Sequence, residues 1–133
     1  MSSHLKYPSV IVFILISIMM TDFSCTRNKV DPVCNRTLPK KISFSKHIIP
    51  ILNENCNSSS CHSGNNPAGF LDLSAAMAYT ELTKSGSGYV DTINPTSSIL
   101  YTQITSSMPP SGKMDPCNID MILKWIDQGA KNN

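Results

Sequence analysis

Cys56-Asn57-Ser58-Ser59-Ser60-Cys61-His62 is the stretch from which the rest of the chain is best read. It opens a run through Gly69, NSSSCHSGNNPAG after Cys56, in which almost no side chain is suited to a core. Compact domains rarely carry so long a structureless connection without a functional reason. The only residues in it with chemistry to offer are the two cysteines and the histidine. Whatever organises the loop is expected to act through them.

Outward from the loop the pattern is helical. On its N-terminal side Ser43 or Ser45 is placed to cap a helix whose apolar stripe is Ile48, Ile49, Ile51 and Leu52, with Pro50 expected to bend it. On its C-terminal side Ser74 precedes AAMAYTELTK, closed by the Ser85-Gly86-Ser87-Gly88 turn. Thr96 or Ser97 then precedes a short run with Ile99, Leu100 and Ile104. The last helix carries the fullest signal: Asp115 as cap, Pro116 at the first helical position, Gly129 as stop, and Ile119, Ile122, Leu123 and Ile126 on one face, widened by Met121 and Trp125. Strand-like alternation is confined to Phe70-Leu71-Asp72-Leu73. The expected fold class is all-α, three to five helices with long connecting loops.

The chain has 133 residues, enough for one domain, with five cysteines and three histidines. Lys6 precedes the apolar run Val10–Met20, which is too short for a comfortable membrane span of roughly 20 residues and has the layout of an export signal. Cys25 follows directly, where a lipoprotein signal places its acylated cysteine, although Asp22 and Phe23 depart from the usual lipobox. Residues 1–24 are therefore read as a lipoprotein-type signal peptide, with an ordinary cleaved signal or an uncleaved anchor as alternatives. Residues 25–41 form a polar, proline-broken tether, and 42–133 the domain. A formal net charge of +2, with Lys40-Lys41 the only dense basic run, gives no concentrated face for nucleic acid. A hydrolase triad, paired catalytic carboxylates and a phosphate-binding glycine loop are all missing from the sequence.

Export places the cysteines in a compartment that permits disulfides and covalent haem attachment. A cysteine followed at once by histidine, with another cysteine shortly upstream, is the arrangement that binds haem through two thioethers. Chained to the second thioether, His62 is held to one face of the porphyrin as proximal ligand. Four residues separate Cys56 from Cys61, where the usual motif has two. Only the sulfur positions are fixed by the macrocycle, so the extra residues are expected to loop outward. Two rival chemistries use the same residues. A Cys3His zinc site would need Cys34 or Cys117 as well, and adjacent ligands Cys61 and His62 suit a tetrahedral ion poorly. A disulfide scaffold without haem leaves His62 and the long loop unexplained.

Ile48-Ile49-Pro50-Ile51-Leu52, then Cys56 to His62, then Met108-Pro109-Pro110, then Trp125-Ile126-Asp127-Gln128-Gly129-Ala130, stand in that order over residues 43–130. Together they resemble the class I c-type cytochromes, in particular the small exported bacterial haem domains. The resemblance implies a cytochrome c-like fold around one covalent haem c, bound by Cys56 and Cys61, with His62 as proximal iron ligand. For the distal ligand it points to Met108, stiffened by two following prolines, with Met114 as rival. Met77 and Met121 fall within helical patterns and are read as core. His47 is read as solvated, a second axial histidine being the less favoured alternative. Trp125, Ile122, Leu52 and Ile51 are expected in the apolar wall around the haem and in the contact between the first and last helices.

With Cys25 assigned to lipid and Cys56 and Cys61 to haem, Cys34 and Cys117 remain, and an exported domain is expected to pair them; the alternative is two free thiols. The function expected is single-electron transfer between redox protein partners on the periplasmic side of a bacterial envelope. The protein would be a carrier and not an enzyme, monomeric or a subunit of a redox complex, and held to the membrane through Cys25. The alternatives are an exported disulfide-stapled binding or structural lipoprotein without haem, and a haem-based sensor or catalyst with a labile distal ligand.

Overall fold

In the computed structural model, residues 33–133 are described. The apolar segment Val10–Met20, the signal peptide and Cys25 lie outside the described residues, as does the first part of the tether. Among the described residues every regular element is helical, and none of these helices is long and apolar enough to cross a membrane. A π-helical turn, Phe44–Ile48, runs directly into α1, Ile49–Asn55. Then follow a 310 turn at Ala68–Phe70, α2 at Ala78–Leu82, a second 310 turn at Pro95–Ser97, α3 at Ile99–Ser106 and α4 at Pro116–Asp127.

The first helical segment shows how Pro50 is accommodated. Ser43 caps it, its hydroxyl accepting from the Lys46 N–H. The wide π turn closes with the Ile49 N–H donating to the Phe44 carbonyl, and Pro50 falls in the first turn of α1. There its missing N–H removes nothing a helix would use. The expected interior bend is thus replaced by a change of helical type one residue ahead of the proline.

The helix expected from Ser74 is shorter than its sequence pattern. The Ser74 carbonyl accepts from the Met77 and Ala78 N–H groups in a turn, and α2 starts only at Ala78 without a side-chain cap. Likewise Thr96 and Ser97 lie in a 310 turn, and α3 starts after Ser98. The last helix follows its sequence signals closely. Asp115 Oδ1 accepts from the Cys117 N–H at 2.7 Å, Pro116 opens the helix, and Gly129 at φ +90° lets the Ala130 N–H turn back to the Trp125 carbonyl at 2.9 Å. Ile122, Trp125 and Ile126 are fully buried, whereas Leu123 is only half-buried.

The core joins the π turn, α1 and α4. The Phe44 ring packs at 5.1 Å from Trp125 and edge-on to Tyr79 at 5.2 Å. Both polar tips of this aromatic group are satisfied at the C-terminal tail: Tyr79 Oη donates to the Ala130 carbonyl and Trp125 Nε1 to the Lys131 carbonyl. The tail closes on the start of the domain, since Asn133 accepts from Ser45 N–H through its carbonyl and from Phe44 N–H through its side chain. Gln128 clamps the same edge, accepting from Ile42 N–H and donating to the Lys40 carbonyl.

Residues 33–41 have no regular structure and are fastened to the domain at three places. Besides the Gln128 clamp there is a disulfide between Cys34 and Cys117, with Cα atoms 4.5 Å apart, and an exposed Arg36–Asp115 ion pair at 3.2 Å.

Candidate functional site

A cavity of about 370 Å³ opens beside the end of α1. Its walls are mostly apolar, and among the described residues no Asp, Glu, Lys or Arg lines it. Cys56, Cys61 and His62 reach it from the loop after α1, Met108 with Pro109 and Pro110 from the loop after α3. Four residues singled out from distant parts of the sequence thus line one cavity.

The backbone of the cysteine loop explains how four intervening residues are taken up. Cys56 N–H continues the α1 ladder to Leu52 O at 2.8 Å, Cys61 N–H turns back to Ser58 O at 2.9 Å, and His62 N–H reaches Cys56 O at 3.1 Å. The chain therefore folds on itself between the cysteines and carries Ser58, Ser59 and Ser60 outward into solvent. Downstream, Ala68 N–H donates to Cys61 O at 2.7 Å and Leu73 N–H to His62 O at 2.8 Å, so both residues are held from either side.

His62 is half-buried, with Nδ1 3.3 Å from the Leu71 carbonyl. A carbonyl oxygen only accepts, so this contact favours the tautomer protonated at Nδ1 and leaves the Nε2 lone pair free. That is the form a histidine needs to ligate a metal. Cys56 is buried. Its burial, and secondarily the neighbouring Cys61, push its thiol up to about 11, so it stays protonated at neutral pH.

The Met108 loop is held by the end of α3. Ser107 and Met108 N–H both donate to the Gln103 carbonyl, at 2.9 and 2.8 Å, and Gly112 N–H closes a turn on Pro109 O at 3.2 Å. Met108 is half-buried and lines the cavity; Met114 is 3% exposed, packs in the core and does not line it. His47 is also absent from the cavity, its Nδ1 accepting from the Ser43 N–H at 2.8 Å. The zinc set is not assembled. Cys34 and Cys117 are bonded to each other, and among the described residues no three His, Cys, Asp or Glu side chains gather to hold a metal.

One expectation is corrected in part. Trp125, Ile122, Leu52 and Ile51 are buried but do not line the cavity; they are taken up in contacts between elements, α4 packing against the Phe44–Ile48 turn, the Pro95–Ser97 turn and α3, and α1 against the Phe44–Ile48 turn. The apolar wall comes instead from Leu71 and Leu73, and from Leu100 and Ile104 of α3. Their signals were in the sequence: the alternation Phe70-Leu71-Asp72-Leu73 sends Leu71 and Leu73 the same way, and Leu100 and Ile104 stand one helical turn apart. Tyr89 and Gln103, which also line the cavity, carry no such signal.

The donor set suits a covalent haem: two thiols, one imidazole with a directed Nδ1 and one thioether, around an uncharged apolar cavity. No known family model matches the chain, and neither curated proteins nor solved structures supply a match.

Proposed function

We propose that this protein is an exported monohaem c-type cytochrome with a cytochrome c-like fold, passing single electrons between redox partners at the bacterial envelope. The observation that carries the proposal is the convergence of Cys56, Cys61, His62 and Met108 on one apolar cavity. Cys56 and Cys61 would hold haem c through thioethers, and His62 Nε2 and Met108 Sδ would be the groups available to ligate its iron. When bound, the haem would supply one-electron chemistry, and a methionine ligand in addition to histidine would raise its potential.

The chain's own residues supply the framework. Leu71 O orients the imidazole, Gln103 O anchors the methionine loop, and Leu71, Leu73, Leu100 and Ile104 exclude water from the cavity interior. The Cys34–Cys117 bond suits an oxidising compartment and thereby the export reading of Val10–Met20 and Cys25. Both ligands are set in hydrogen-bonded loops, so little need rearrange when the oxidation state changes.

Expression with a haem-attachment system and a visible spectrum tests the proposal. A Soret band that survives denaturation is expected, and a pyridine haemochrome reporting two thioethers. A folded, secreted protein without a Soret band would sink it in favour of a haem-free stapled lipoprotein. Loss of palmitate labelling in Cys25→Ser tests the anchor separately.

A further inference from the structure

We infer that a second cavity, where residues 40–45 meet the C-terminal tail, is a binding site for a phosphate monoester. It measures about 350 Å³ and is lined by Lys41, Ile42, Trp125, Gln128, Lys131 and Asn133. None of these residues lines the cysteine cavity, so the site stands apart from the haem assignment. Its volume falls in the range of roughly 300–1,000 Å³ usual for small-molecule sites. The polar groups around it are unevenly satisfied. Both side-chain acceptors of the lining are engaged, Gln128 Oε1 by the Ile42 N–H and Asn133 Oδ1 by the Phe44 N–H, each at 2.9 Å. Lys131 O accepts from the Trp125 indole at 3.0 Å, and Asn133 O from the Ser45 N–H and the Ser43 and Ser45 hydroxyls. The carbonyls of Lys124, Trp125 and Ile126 at the end of α4 already accept from the Gln128, Ala130 and Gly129 N–H groups. By contrast, Lys41 Nζ, Lys131 Nζ and Asn133 Nδ2 have no partner among the described residues. Lys131 does not simply extend into solvent, since its Cε lies 4.0 Å from where a Cβ on Gly129 would stand and its stem folds back toward the end of α4.

A cavity that offers donors and positive charge, with its own acceptors spent, takes a ligand that is anionic and rich in acceptors. Among the described residues no Asp or Glu lines it to neutralise the lysines from within. Two unopposed ammoniums and one amide match a dianion with three terminal oxygens. A phosphate monoester carries about −1.5 to −2 charge at neutral pH and three strong acceptor oxygens, whereas a single carboxylate would leave one ammonium uncompensated. Lysine serves such a group as a point charge. Ile42 and Trp125, both almost fully buried, give the organic part of the ester an apolar floor.

The indole N–H of Trp125, the chain's one tryptophan, is bonded to Lys131 O and therefore reports on this cavity in NMR spectra of the secreted protein, with or without haem. Glycerol phosphate should move that signal saturably, and acetate at the same ionic strength should not. Lys41→Gln and Lys131→Gln should each weaken binding about tenfold. Both lysines are exposed, so these replacements should leave folding intact. Lys84→Gln, at an exposed position that does not line the cavity, should bind like the unaltered protein. Vesicles containing phosphatidic acid separate the two sources of such a group. Sedimentation with them that is lost in both lysine variants, without any response to glycerol phosphate, would assign the monoester to a lipid headgroup. The site is overturned by an unmoved Trp125 signal without vesicle binding, by equal shifts from acetate, or by Lys41 and Lys131 variants that bind like the Lys84 variant. None of these outcomes bears on the Soret band, so the haem assignment stands or falls separately.

Discussion

Cys34 and Cys117 are bonded to each other across 83 positions of sequence, joining the irregular arm before Ile42 to the first turn of α4. The bond lies beside the Asp115 cap and the Arg36–Asp115 ion pair, so arm and helix start form one fastened corner. Closing a loop of this length stabilises by about 4 to 5 kcal/mol in the chain-entropy model. That is a large part of the roughly 5–15 kcal/mol available to a small domain. The double variant Cys34→Ser/Cys117→Ser should therefore lose most of its urea resistance. A midpoint shift worth less than about 1 kcal/mol would show that the arm contributes little. Arg36→Ala alone, breaking only an exposed pair, should cost no more than about 1 kcal/mol.

Met108 and Met114 are close in sequence and differ in surroundings, one lining the cavity and the other buried in the core. In the holoprotein, Met108→Ala should abolish the red sulfur-to-iron absorption band and lower the reduction potential, with little change in folding. Met114→Ala should keep the band and cost about 2 to 5 kcal/mol of stability. The reverse pattern would transfer the distal role to Met114.

The α4 boundaries were readable because cap, proline and glycine agree with the apolar period, and tertiary packing follows the same stripe. That Cys61 and His62 reach the same cavity was legible for a different reason: adjacency ties His62 to Cys61 whatever the fold. The cavity wall was not. Which apolar stripe faces a cavity and which faces another helix is decided by tertiary packing, and Trp125 and Ile122 are equally hydrophobic in either place. The shortening of α2 has a local cause, since Asp72 Oδ1 accepts from Ser74 N–H at 2.8 Å and commits Ser74 to a turn.

Ser98 is fully buried and stands at the start of α3, but its hydroxyl does not cap the helix. Its Oγ accepts from Asp91 N–H at 2.9 Å and donates to Asp91 O at 3.4 Å, pinning the 91–98 loop to the start of α3. Removing the hydroxyl leaves the Asp91 N–H without that partner, at a cost of about 1 to 3 kcal/mol. Ser98→Ala should lower stability by that amount in chemical denaturation, and Ser97→Ala, at an exposed position, by under about 0.5 kcal/mol. Equal effects would deny Ser98 its anchoring role.

The two cavity thiols differ in access, Cys56 being buried and Cys61 partly exposed. Alkylation requires a thiolate, and burial holds Cys56 protonated until the pH nears about 11. In the haem-free chain at pH 8, iodoacetamide should therefore modify Cys61 first, with Cys56 reacting only as the cavity opens. The same shift has a sign for stability. A pKa raised on folding contributes stability that is fully present below the unfolded thiol value of roughly 8.5. That contribution disappears as the pH rises through about 11. Unfolding free energy of the haem-free chain should fall across that window more steeply than in Cys56→Ala. Parallel pH profiles for the two proteins, or equal alkylation rates at Cys56 and Cys61, would show that Cys56 is not buried in solution.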